Sequence, residues 1–221
     1  MESVDVEIPA GEARLSGTLT TAAQSRAIVL FAHGSGSSRL SPRNQKVARV
    51  IQAAGISTLL FDLLTPPEED VDRVTATLRF DIPFLAGRLV QVTEWLAQQA
   101  PAQDRALGYF GASTGAAAAL VAAAQLGERI GAVVSRGGRP DLALDVLDQV
   151  QAPTLLIVGE RDDVVIEMNR SALAELRCRK EMVIVPRATH LFEEPGALEQ
   201  VASLARDWFI THLQRRVKRA D

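Results

Sequence analysis

Six short stretches of nearly unbroken apolar character do most to limit what this chain can fold into: residues 27–32, 57–61, 106–110, 131–135, 154–158 and 181–185. A strand with one wet face alternates apolar and polar side chains, whereas runs like these suit parallel strands covered on both faces. Between them lie segments long enough for helices at 41–54, 79–100, 113–126, 141–150 and 164–176, and a last helical pattern covers 195–216. Strands alternating with helical crossovers predict βαβ units and an open, twisted, mainly parallel sheet with helices on both faces. The beginning of the chain differs. Residues 4–8 alternate at period two, and residues 14–20 do so again after the turn signal Pro9-Ala10-Gly11-Glu12, which predicts an edge hairpin and brings the sheet to about eight strands.

In such a sheet, ligands bind beyond the carboxyl ends of the strands, so the residues just after each apolar run carry the functional reading. After residues 106–110 comes Gly111-Ala112-Ser113-Thr114-Gly115, a G-x-S-x-G pattern leading directly into an alanine-rich helical segment. Small neighbours are what a serine on a sharp strand-to-helix turn requires. A serine hydroxyl is a weak nucleophile at neutral pH and needs a base, itself oriented by a carboxylate. Of the three histidines, His33 precedes the serine and His212 falls inside the last helical pattern, where an exposed role is expected. His190 follows a strand in a short loop and is the candidate base. The candidate acid is Asp162, after residues 154–158, with Glu160 and Asp163 as alternatives. An oxyanion needs two donors. The Thr114 backbone N–H is one, and the Ser35 N–H in His33-Gly34-Ser35-Gly36 is the other. That glycine-rich loop lacks the lysine and the spacing of the nucleotide-binding patterns.

The segments FAHGSGSS, GYFGASTGAAAAL, TLLIVGERDDVV and ATHLFEEPG, in that order, resemble the dienelactone-hydrolase-like branch of the α/β-hydrolases over nearly the whole chain. The resemblance implies an α/β-hydrolase fold, a Ser113–Asp162–His190 triad, and Ser35 and Thr114 at an oxyanion hole. It further implies an acyl-transfer hydrolase acting on esters, lactones or thioesters without metal or organic cofactor. Dienelactone hydrolases carry cysteine at the elbow where this chain has Ser113, so a dienelactone substrate is not implied. About eighteen residues separate the strands ending at Ser135 and beginning at Thr154, too few for a large cap domain. Arg136, just past a strand end, is a candidate for an acidic substrate group or for a structural salt bridge. A non-catalytic binding or scaffolding module of the same fold is the rival reading.

The rest of the sequence bounds the setting. A chain of 221 residues, 47% hydrophobic and 23% charged, predicts one domain over residues 1–221. The formal net charge of −3 offers no cationic face for nucleic acid, and the basic cluster Arg215, Arg216, Lys218 and Arg219 reads as a solvated tail. No secretory signal opens the chain and no apolar run is long enough to span a bilayer, so the expected location is the cytoplasm and the expected partner a small molecule. The single cysteine, Cys178, excludes an internal disulfide and reads as an inert thiol. The acidic stretch 64–77, opened by Pro66-Pro67, reads as a loop after a strand, solvated or else bordering the active site, with the solvated reading favoured. Leu63, Leu64, Leu191 and Phe192 read as loop packing rather than the lining of an acyl site.

Overall fold

The computed structural model describes residues 1–213. Its strands are β1 (Glu2–Ala10), β2 (Ala13–Thr21), β3 (Ala27–Ala32), β4 (Ser57–Phe61), β5 (Ala106–Ala112), β6 (Ile130–Arg136), β7 (Thr154–Gly159) and β8 (Lys180–Val185). They form one sheet in the order β1-β2-β4-β3-β5-β6-β7-β8. The β1–β2 hairpin is antiparallel and joins β4 antiparallel, while β4, β3, β5, β6, β7 and β8 run parallel. The helices are α1 (Pro42–Ala53), α2 (Pro66–Thr75), α3 (Ile82–Ala97), α4 (Thr114–Leu126), α5 (Asp163–Glu175) and α6 (Ala197–Leu213).

Alternation along each central strand divides its side chains between two layers. Ile28, Leu30, Tyr109 and Val133 pack with α3 and α4 on one face, and Val29, Phe31, Phe110 and Val134 pack with α1 and α6 on the other. Both faces of β3 and β6 are therefore dry, which is why their sequences show no polar alternation. A buried hydroxyl pair between α3 and β5 is closed by hydrogen bonds: the Tyr109 hydroxyl donates to Thr93 Oγ1 at 2.7 Å, and Thr93 donates onward to Leu89 O at 2.7 Å. Phe31 and Phe110 meet with ring centroids 4.8 Å apart, a contact worth about 1 kcal/mol beyond area burial.

Two predicted segments differ in the structure. The acidic stretch is mostly helix, since α2 covers Pro66–Thr75 behind a complete capping box between Thr65 and Glu68. Proline breaks a helix only in its interior; Pro66 and Pro67 stand in the first turn, where their missing N–H groups cost nothing. Residues 140–149 form a 3-10 segment, Pro140–Gln149, in place of an α-helix. That segment alone fills the chain between β6 and β7, so no large cap covers the sheet there. α6 is described to Leu213, and the basic cluster lies outside the described residues. Among the described residues no helix is long and apolar enough to cross a membrane.

Candidate active site

Ser113 occupies the one-residue hinge between β5 and α4, with φ 51° and ψ −122°. A non-glycine residue there stores strain of about 1–3 kcal/mol, which the surroundings must hold. They do so on both sides: the Ser113 N–H donates to Arg136 O at 3.2 Å, and its carbonyl accepts from Arg139 N–H at 3.1 Å. The turn closes because its neighbours lack side chains. A Cβ on Gly111 would lie 2.4 Å from Ala116 Cα, and one on Gly115 would lie 2.3 Å from Ala32 O. Helix α4 can sit this low over the sheet because Ala116, Ala117, Ala118 and Ala119 are all fully buried.

His190 stands in the loop after β8, and its Nδ1 lies 2.6 Å from Asp162 Oδ2. The carboxylate accepts, so the proton is assigned to Nδ1, leaving Nε2 as the acceptor nitrogen. The two competing carboxylates are placed elsewhere. Glu160 accepts the Arg187 N–H at 2.6 Å, and Asp163 is exposed in the first turn of α5. The loop is braced further by Glu194, which accepts the Thr189 N–H, and by Arg161, whose N–H donates to Ala188 O at 2.9 Å. Gly137 brings this loop against the serine turn: a Cβ there would lie 3.5 Å from His190 Cε1, while the preceding residue, Arg136, accepts the Ser113 N–H.

On the other side of the serine, Gly34 approaches so closely that a Cβ on it would lie 2.9 Å from Ser113 Cβ. The Ser35 and Thr114 hydroxyls are 3.0 Å apart, which joins the loop after β3 to the first turn of α4. His33 anchors that loop, a role the sequence reading passed over. Its Nδ1–H donates to Gly34 O at 3.0 Å and its Nε2 accepts the Leu63 N–H at 2.9 Å. Burial lowers its pKa, so the imidazole is held neutral. A histidine closing a buried strand just before a glycine-rich loop was the signal available.

A cavity of about 260 Å³ opens beside this loop, lined by Ser35, Thr114, Leu63 and Leu64 together with Glu69 and Asp72 of α2. Ser113 and His190 are not part of that lining. Residues of the acidic segment thus reach this cavity, while most of α2 is exposed to solvent. Asp72 is buried; burial pushes its carboxyl up, and N–H groups of Arg79 at 3.0 and 2.7 Å outweigh this and hold it below its ordinary value. Leu63 and Leu64 line the cavity, whereas Phe192 is a core residue of the α1–α6 layer and Leu191 is exposed.

Arg136 lies apart from this cavity. Its position on β6 matches Ala132 and Val134, so its side chain enters the α1–α6 layer, with the guanidinium 5.9 Å from the Phe192 ring centroid. It is absent from the cavity lining, and no carboxylate pairs with it among the described residues. Cys178 lies 3.8 Å from the Thr154 hydroxyl, and burial pushes its thiol up, away from reactivity. His212 is half-buried rather than exposed and lies against Trp208, ring centroids 4.3 Å apart. No group of three or more His, Cys, Asp or Glu that could hold a metal ion occurs among the described residues.

Comparison with known proteins places this geometry among relatives. Residues 25–204 match the model of the alpha/beta hydrolase domain family. Two curated proteins, from two strains of Mycobacterium tuberculosis and each provisionally named a phosphoribosyl transferase, are 59% identical over 209 residues, which is 95% of this chain and 46% of theirs. The chain therefore spans about half the length of those relatives. Among solved structures, a dienelactone hydrolase from Anabaena variabilis is 57% identical, with a TM-score of 0.94 over 96% of this chain and 98% of that one. Est1E from Butyrivibrio proteoclasticus shares the fold at 14% identity, with a TM-score of 0.79 over 94% of this chain and 98% of its own.

Proposed function

The chain belongs to the α/β-hydrolase family, in its dienelactone-hydrolase-like branch, and on that premise we propose that it is a serine hydrolase cleaving a carboxylic ester, lactone or thioester through an acyl-enzyme. The observation that carries the reading is the 2.6 Å bond between His190 Nδ1 and Asp162, which leaves Nε2 free of its proton on the loop packed against the serine turn. In the proposed reaction the Ser113 oxygen attacks the carbonyl carbon while His190 Nε2 takes the hydroxyl proton. The resulting oxyanion is received by the backbone N–H groups of Ser35 and Thr114, with the N-terminal end of the α4 dipole behind them. Collapse breaks the bond to the leaving alcohol or thiol, which departs with the proton from His190. Water then adds to the acyl-enzyme as His190 takes its proton, and release of the acid returns that proton to Ser113.

We take residues 1–221 as one domain working in the cytoplasm on a small molecule without a cofactor. The transferase activity in the names of the Mycobacterium tuberculosis relatives we assign to the half of those chains that this one does not match. The test is hydrolysis of p-nitrophenyl acetate and butyrate by wild type and Ser113→Ala, together with labelling by a fluorophosphonate. Loss of turnover by roughly 10⁴-fold in the variant, with labelling confined to wild type, is the expected result. Equal turnover in both proteins overturns the nucleophile assignment. Absence of both turnover and labelling in wild type favours the non-catalytic binding module instead.

A further inference from the structure

The proposed reaction makes no use of the cation at the end of β6. Arg136 is 8% exposed, and its Nε and Nη1 are buried without a hydrogen-bond partner among the described residues. Burial pulls its guanidinium pKa down to about 10, and the neighbouring Arg43 cation adds to the effect, so the group still carries its charge at neutral pH. Buried charges in folded proteins are paired or hydrogen-bonded, because removing them from water is otherwise strongly unfavourable. Arg43, in the first turn of α1, holds Glu193 through Nη1 at 3.1 Å, yet its Nε is also buried and unpartnered. The amino-terminal end of α1, capped by Ser41, contributes the positive end of its dipole at the same corner.

We propose that Arg136 and Arg43 form a binding site for a phosphate group at the head of α1, behind the His190 loop, with the Phe192 ring as its roof. Two guanidinium groups and the helix half-charge exceed the Glu193 and Glu194 carboxylates at this corner, Lys46 and Glu199 being paired with each other, and leave a net positive charge. A phosphate carries about −1.5 to −2 at neutral pH and presents the oxygens that planar guanidinium forks engage two at a time. Phe192 is held at φ 56° two residues after His190, so a ligand that fixes its ring also steadies the loop carrying the base. The site lies in the layer opposite α3 and α4, and its occupancy does not depend on Ser113 being the nucleophile.

Thermal unfolding in inorganic phosphate tests this, with ionic strength held constant by chloride, on wild type, Arg136→Met, Arg43→Gln and Ser113→Ala. A rise in Tm that grows with the logarithm of phosphate concentration, reaching about 4 °C at ten times the dissociation constant, is expected in wild type and Ser113→Ala. The rise disappears in Arg136→Met and needs roughly tenfold more phosphate in Arg43→Gln. If Arg136→Met does not fold, the weakened response of Arg43→Gln, whose side chain is only partly buried, decides the matter. No rise in wild type, or the same rise in the variants, overturns the proposal. Glycerol 3-phosphate separates the sources of the group: tighter binding than inorganic phosphate assigns the site to an organic phosphate ester, and equal or weaker binding assigns it to the free ion.

Discussion

Glu194 receives the Thr189 N–H on both carboxylate oxygens, each 3.1 Å away, and thereby fixes the residue that precedes His190. The hydrogen bonds from Thr189 hold the Glu194 carboxyl below its ordinary pKa, so it remains an acceptor well into the acid range. Displacing a catalytic group by about 1 Å costs on the order of 100-fold in rate. Glu194→Ala is therefore expected to lower kcat on p-nitrophenyl butyrate by about 10- to 100-fold with KM little changed. Glu194→Gln, which keeps one oxygen acceptor, retains most of the activity. Equal losses in the two variants would show that the carboxylate does something other than hold the loop.

The three carboxylates after β7 are separable by the same assay. Asp162→Asn sets an amide N–H donor beside His190 Nδ1, which favours the wrong tautomer, and is expected to cost roughly 10³- to 10⁴-fold in kcat. Asp163→Asn, on the exposed first turn of α5, should stay within about twofold of wild type, a surface change away from any partner. A larger loss from Asp163→Asn than from Asp162→Asn would reverse the assignment of the acid.

Gly115 and Gly87 make a paired test of the serine turn. Gly115→Ala places a methyl 2.3 Å from Ala32 O and 2.4 Å from His33 O, both backbone atoms of the neighbouring strand end. The strand must move, and a loss of at least about 3 kcal/mol in urea unfolding is expected. Gly87 lies in α3 with open space where a Cβ would go, so Gly87→Ala should add about 0.5–1 kcal/mol through helix propensity. Comparable stabilities for the two variants would contradict the close packing of α4 over β3.

His33 gives the fold a pH dependence of definite sign. Burial lowers its pKa from the ordinary 6.5, so below that pH the unfolded chain takes up a proton that the native state refuses. The stability tied to the neutral ring is complete above pH 6.5 and is lost as pH falls through that value toward the lowered one. Wild-type Tm should fall between pH 7 and pH 5 more steeply than that of His33→Gln, because His190 and His212 are common to both proteins. Parallel curves would mean that His33 is not held neutral.

Much of the architecture was legible from residue pattern alone. The unbroken apolar runs announced strands dry on both faces, and each expected central strand appears within a residue or two of its place. The expected alternation at residues 4–8 and 14–20 gave the antiparallel hairpin, because a strand with a wet side must record it in its sequence. Helix α2 was missed because two adjacent prolines and three acidic residues read as a breaker, although Thr65 and Glu68 were visible as a capping box. The 3-10 segment Pro140–Gln149 shows the limit of periodicity, which for a ten-residue stretch does not separate one helical winding from the other.

By itself the sequence determined the layered parallel sheet and the set of polar residues delivered to its carboxyl edge, since apolar periodicity and strand-end position are local properties. Tertiary structure alone decided which carboxylate faces His190, because Glu160, Asp162 and Asp163 differ only in which way the turn after β7 points them. It also decided that Arg136 turns into the α1–α6 layer and finds no carboxylate among the described residues there. Side-chain alternation fixes the face of the sheet, but the partners on that face arrive from α1 and from the loop after β8, far away in the chain. Contacts between segments so distant depend on how the layers close over one another, and no local pattern in the sequence records that.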